Sequence, residues 1–457
     1  MEVVERTGIP AVGIFGESFG PMAELLGEQA GLPRHRLAIY PGMMATASDQ
    51  QLAETSVTHL TPQVVRGLLE VGDEQGSAAA IEAPSSEDDL AFEIVHRGDF
   101  DDIQEFFYEK GWSDGLPVVP PTVARVQAFL ECGGRDGHDV LGVLPPEKRE
   151  ATVMSVAVNG VMAGCRPEYM PILIAIAECL ADPRFRLEDA GSTPGWEPLV
   201  LVSGPLARRL DFNAETGAMR IGRRANSSVG RFTRLYMRNI AGLRIPPGVT
   251  DQAGLGSNFN VAMAENDEAV RALGWDPYRV DRGFGLDDTV VTVQSVLNIS
   301  APIYTHGDNP IDHLNVISYH LERSWSMVIP AFKRGGGYLL LAMSPSIAQV
   351  LADHGMGKAE IRRYLVEHMR TRAGFYESDI DHGTPFDMKE LVRDERLPPA
   401  YIESDDPERL IQVMLSEEWL GIVVAGNPGR NQSRGYGTNH VQGLPVSRRV
   451  VEPGSTR

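Results

Sequence analysis

The sequence has 457 residues, about three times the length of an ordinary domain, so two domains or one large domain with an appendage are expected. Apolar residues make up 42%, enough for a full core, which excludes disorder for most of the chain. Lys and Arg total 42 against 62 Asp and Glu; the net −20 argues against nucleic acid or an anionic membrane as the main partner.

Three cysteines exclude a disulfide scaffold and fit a reducing cytoplasm. The opening MEVVERTGIPAVGIFGESFG has no basic segment leading into an apolar one, so no signal peptide is expected. No apolar run reaches the roughly 18–20 residues of a bilayer span. The expected class is a soluble, acidic, cytoplasmic protein of enzyme size.

In chain order, Ile9 to Phe15 is a short apolar run suited to a buried strand. Gly13, Gly16 and Gly20 lead into a helix from about Pro21 to Ala30. Arg36 to Tyr40 forms the next strand, and Thr61-Pro62 starts a helix running to about Val71. Residues 1–71 therefore read as a small α/β domain with parallel strands. Residues 72–89, GDEQGSAAAIEAPSSEDD, hold six acids and no base and read as a flexible linker.

Residues 90–457 read as one large mixed α/β or α+β domain. Helices are expected from Asp101 to Glu109, from Val123 to Glu131, over 151–164 and after Pro167. Strands are expected at Pro198 to Val202, Val290 to Val296, Tyr338 to Ala342 and Leu420 to Ala425. The helices Pro345 to His354 and Lys358 to Arg372 resemble a helix-turn-helix only superficially. Glu360 and Glu367 oppose the bases of the second helix, so both are read as packing elements.

Four places can carry chemistry. Cys165, in NGVMAGCRPEYMP, lies just before a helix that Pro167 opens. The free N–H groups there, with Arg166, favour a thiolate and hence a nucleophile or redox group. The alternative is a small buried residue beside Gly164. Cys179 reads as core, and Cys132 has no CxxC partner.

Second, nine arginines fall between Arg208 and Arg244, opposed there only by Asp211 and Glu215. The segment is +7; without it the chain holds 33 bases against 60 acids, or −27. Its centre, GRRANSSVGRFTRLYMRNIAG, reads as a loop with Asn226, Ser227 and Ser228 entering a helix. Arg223, Arg224, Arg231 and Asn226 then suit a carboxylate or phosphate, with Asn159 as a further substrate contact. The alternative is a basic surface strip paired with the protein's own acids, including at a subunit contact in a homo-oligomer.

Third, THGDNPIDHLNVISYH places a helix start at Pro310, with His306 and Asp308 in the loop before it. His306, Asp308 and His313 can hold a divalent metal, or the histidines can transfer protons without one. The alternative is a helix cap. Fourth, VVAGNPGRNQSRGYGTNHVQG is a strand leading into a glycine-rich loop with Gly426, Gly429, Gly435, Gly437 and His440, suited to an anion or simply a turn.

Several stretches together resemble the UGSC-motif (seleno)protein family. ERTGIPAVGIFGESFGPMAELLGEQAGLPRHRLAIYPG is similar to the part of that domain just after its signature. DGLPVVPPT, AVNGVMAGCRPEYMP, GRRANSSVGRFTRLYMRNIAG, WDPYRVDRGF and the final IVVAGNPG are similar to a long companion domain. The family's signature, Cys/Sec-Gly-Ser-Cys, would precede GIPAVGI; no CGSC occurs in this sequence. The resemblance therefore carries a dithiol or selenol role only if a separate CGSC-bearing subunit supplies it, the alternative being a chain that has lost the motif, and it supports Cys165 as the thiol that matters. It also implies a histidine where Arg279 stands.

The expected function is an enzyme of the lyase, hydratase or thiol-transfer type, rather than a hydrolase. It makes or breaks a carbon–heteroatom bond in a small anionic metabolite. Cys165 serves as nucleophile or thiol acid, with His306 and His313 beside it. A metal-dependent enzyme using His306, Asp308 and His313, and a non-catalytic small-molecule-binding subunit, are the alternatives.

Overall fold

The computed structural model describes residues 4, 9–29, 36–44, 47–69, 93–245, 250–256, 258, 260–324, 337–383, 387–439 and 444–454. The expected linker at 72–89 lies outside the described residues, as does His440. The chain divides into two compact units: Met1–Val95 with Leu243–Gln252, and His96–Gly242 with Ala253–Arg457.

In the first unit, β1 (Gly13–Gly16) leads through a 3₁₀ turn into α1 (Gly20–Gln29) and back to β2 (Leu37–Tyr40). β1 and β2 pair in parallel, Gly13 opposite Leu37, as a strand–helix–strand crossover requires. Ala38, Tyr40 and Leu60 form its buried centre. Helical chain begins earlier than the Thr61-Pro62 signal suggests. Here α2 (Asp49–Thr55) is closed by a reciprocal Ser48–Gln51 capping box and runs through a π-turn into α3 (Thr61–Leu69).

The second unit is α/β with two mixed sheets. In chain order it contains α4 (Phe100–Glu109), α5 (Val123–Gly133), the hairpin β3 (Val140–Leu144) and β4 (Arg149–Thr152), α6 (Val153–Met162), α7 (Met170–Leu180) and β5 (Glu197–Ser203). There follow α8 (Arg224–Tyr236), β6 (Met263–Ala264), α9 (Tyr278–Asp281), β7 (Val290–Val296), β8 (Asn298–Ile299), β9 (Ile303–Tyr304) and α10 (Pro310–Ser324). Further along lie β10 (Leu339–Met343), α11 (Pro345–Asp353), α12 (Lys358–His368), β11 (Leu420–Val424), β12 (Gln432–Gly437) and β13 (Val446–Arg449).

One sheet runs β13-β7-β5-β6, antiparallel except for the β5/β6 pair. The other runs β11-β10-β12-β8 with β9 also on β12; its β10/β11 pair is parallel. β7 reads VVTVQSV and is buried at every position, which is why alternation is absent. α7, MPILIAIAECL, is apolar all round and buried almost throughout, packing against β7 and β13. Its partner α6 starts with a Thr152–Ser155 capping box. α6 approaches α7 closely at Gly160, where a Cβ would lie 2.7 Å from Leu173 Cδ1.

Two expectations shift. The helix expected over 358–372 ends at His368, and Arg370–Arg372 is a short strand paired with Leu410–Gln412. Gly435 and Gly437 belong to β12 rather than to a loop. A side chain at Gly435 would collide with Leu321, so that glycine serves packing rather than anion contact.

Candidate functional site

The chain leaves α6 through Gly164, whose φ of 80° is the left-handed conformation glycine accepts without strain. Cys165 follows, its N–H donating to the Gly160 carbonyl 3.0 Å away. A 3₁₀ turn at Pro167–Tyr169 then leads into α7. The sequence therefore placed the thiol correctly before a helical start. Its protonation is the reverse of the thiolate expectation. Cys165 is 7% exposed, and burial pushes its thiol up to about 12. A hydrogen bond from Ser228 and the charges of Arg224 and Arg231 act the other way and do not prevail. At neutral pH Cys165 is a protonated thiol.

The thiol lines a cavity of about 350 Å³. Val119, Phe129 and Val161 give it apolar walls, and Arg125 and Arg224 supply charge. Arg224 Nε donates to the Gly164 carbonyl at 3.2 Å, which leaves both Nη groups without a hydrogen-bond partner among the described residues. Arg125 Nη1 donates to the Pro120 carbonyl at 2.9 Å.

The other arginine-segment residues have structural partners. α8 begins at Arg224 with Arg223 at its cap, so Asn226, Ser227 and Ser228 lie within its first turns and not in a preceding loop. Arg223 is exposed and pairs with Asp211 at 3.2 Å. Arg231 grips Asp114 through Nε and Nη2 at 2.9 and 2.8 Å and also donates to the Pro117 carbonyl. Asn226 is fully buried, accepting from Asn213 N–H and donating to the carbonyls of Asn213 and Ala262. Asn159 donates to the Ser155 carbonyl and accepts from Asn239. Arg208 pairs with Glu268, Arg209 with Glu452 and Arg234 with Glu197. The +7 island is thus largely neutralised by the protein's own carboxylates. Of Asn159, Arg223, Arg224, Asn226 and Arg231, Arg224 alone lines the cavity with Cys165.

The histidines lie elsewhere. α10 starts at Pro310, as the Asn-Pro pair predicts. His313 is fully buried; its Nδ1 meets Thr305 Oγ1 at 2.6 Å and its Nε2 meets the Gly307 carbonyl at 3.0 Å. Both ring nitrogens are engaged in fixing the loop, while His306 and Asp308 are exposed. These residues do not fit a metal: among the described residues no three His, Cys, Asp or Glu side chains converge on one. Neither histidine lines the Cys165 cavity.

Sequence reasoning missed Arg125 and Phe129, one turn apart on α5, because nothing local marks them as facing a thiol. It also missed a buried ionic group around Arg279, which has no exposed surface. Arg279 pairs with Asp267 at 2.5 Å and donates to Ser203 Oγ at 3.1 Å; Ser203 in turn donates to the buried Glu265 at 2.6 Å. The position where the resemblance implies a histidine is therefore a structural cation.

Residues 3–70 match the model of the UGSC family. The UGSC match spans β1, α1, β2 and the α2–α3 segment, so the N-terminal domain is UGSC-like, with the parallel β1/β2 pair as its sheet. The UGSC match does not extend to Cys165 or α8. No curated protein and no solved structure matches the chain. Among the described residues, no helix is long and apolar enough to cross a membrane.

Proposed function

We propose that the larger unit is an enzyme acting on a small molecule with an apolar body and one carboxylate or phosphate, held in the Cys165 cavity. One observation carries this reading: a thiol and an uncommitted guanidinium fork, Cys165 and Arg224, line the same cavity. Arg224 takes the anionic group, Arg125 adds a second positive charge, and Val119, Phe129 and Val161 take the apolar body. The reaction breaks a carbon–heteroatom bond, as in a lyase or transferase. Water takes the α-proton beside the substrate carboxylate and its electron pair forms the C=C bond, while the β-heteroatom leaves with its bonding pair and takes the Cys165 S–H proton. The resulting thiolate is held by the charges of Arg224 and Arg231, then regains a proton from the hydronium so formed. The expected test is turnover by the purified chain on short carboxylic acids bearing a β-leaving group. Cys165→Ser and Cys165→Ala should both abolish it while leaving binding intact; full turnover by Cys165→Ala removes the thiol from the reaction.

A second reading is a non-catalytic binding subunit. It is favoured by the absence of any carboxylate or histidine among the described residues lining the cavity, which leaves no base to accompany the thiol acid. A CGSC-bearing subunit would then supply the chemistry, in a cytoplasmic complex in which this chain is a homo-oligomer. Co-purification with a CGSC protein, and turnover only in its presence, would establish this reading over the first.

A further inference from the structure

A second cavity, of about 300 Å³, lies in the same unit between α9, α12 and the start of β11. It shares no lining residue with the Cys165 cavity. Its floor is a pair of tyrosines, Tyr278 and Tyr338, 1% and 3% exposed, whose hydroxyls are 2.8 Å apart. Tyr338 reaches this place because position 421 is glycine; a Cβ there would collide with its hydroxyl. Burial pushes both phenols up, so both stay protonated. Two hydroxyls carry two protons, and their mutual bond uses one. The other has no acceptor among the described residues, although a buried donor left unpaired is costly.

The charged rim is divided. Asp281 is already occupied by Lys358 at 3.0 Å and Arg362 at 2.8 Å on the same oxygen. Arg282 donates to the Pro445 carbonyl and Ser447 hydroxyl, keeping Nη1 uncommitted. Glu417 lies 3.8 Å from Arg363, whereas Glu418 has no hydrogen bond or ion pair among the described residues. Arg362 also keeps Nη1 uncommitted, so the cavity presents two guanidinium donors, those of Arg282 and Arg362, with Glu418 as a spare anion and one spare phenolic O–H.

We propose that this cavity binds a small α-amino acid: its carboxylate accepts from the spare tyrosine hydroxyl and Arg282, and its ammonium group meets Glu418. The proposal is independent of the Cys165 reading. It is tested by calorimetric titration of the full chain with each proteinogenic amino acid, and with the des-amino acid of the best binder. One amino acid should bind at one per chain, and its des-amino acid about tenfold or more weaker. Glu418→Gln, an exposed change, should weaken amino-acid binding about tenfold, as should Tyr338→Phe. Arg224→Gln, in the other cavity, should leave it unchanged. The proposal is overturned if no amino acid binds up to about 1 mM. It is equally overturned if the des-amino acid or the Glu418→Gln variant binds as well, or if binding is lost in Arg224→Gln.

Discussion

Arg224 Nε donates to the carbonyl of Gly164, the residue immediately before the cavity thiol. The first residue of α8 is thereby tied to the turn that positions Cys165, and its remaining donors face the same space as the sulfur.

Charge selection at this site can be read by alkylation. Iodoacetate carries the carboxylate that the cavity is proposed to prefer, and iodoacetamide is its neutral counterpart. The iodoacetate-to-iodoacetamide rate ratio at Cys165 should fall roughly tenfold in Arg224→Gln, the loss of one charge-assisted hydrogen bond. Mass spectrometry of the labelled peptide measures it; an unchanged ratio would show that Arg224 does not read the anion.

Alkylation should also report the protonation of the thiol. With the thiol pushed up to about 12, the rate at Cys165 should keep rising about tenfold per pH unit with no plateau below about pH 11. The same burial has a cost in stability. The unfolded chain loses this proton from about 9.0 upward, before the folded chain does, so stability falls as pH rises from about 9 toward about 12. Urea midpoints across that range should decline, and less steeply in Cys165→Ser.

Asp182 gives the opposite dependence. Hydrogen bonds from Arg184, then from Arg448 on β13, hold its carboxyl well below the usual carboxylate range. Its contribution is present at neutral pH and is lost as pH falls below that range. Asp182→Asn should cost about 1–3 kcal/mol in urea unfolding at neutral pH, and the difference from the parent should shrink as the solution is made acidic.

His313 should behave as a structural residue. With both nitrogens bonded and the ring fully buried, His313→Ala should destabilise the chain by about 2–4 kcal/mol. The measurement is a urea unfolding curve. A variant as stable as the parent, with altered metal content, would revive the ligand role.

Elements with strong local signals were legible in the sequence. β7 was found from its β-branched run, the start of α10 from Asn309-Pro310, and the position of Cys165 from Pro167. The start of α8 was misplaced because Arg223 caps it without any side-chain hydrogen bond, leaving no cap residue to recognise. The Ser48–Gln51 box is a local signal for the start of α2. What each arginine does could not be read. Arg231 is claimed by Asp114, 117 positions away, and nothing visible nearby marks the Arg224 Nη groups as the ones without a partner among the described residues. The walls of the thiol's cavity likewise include Val119 and Phe129, which only folding brings to it.

The packing of α7 has a consequence for synthesis on the ribosome. Cys179, near its end, touches the Val446 carbonyl of β13, 267 residues later in the chain. At ordinary elongation speeds that strand emerges about 13–50 s after the helix it covers. For that interval a segment reading MPILIAIAECL has an uncovered side. Nascent chains stalled before residue 446 should therefore recruit chaperones that the released, folded chain does not.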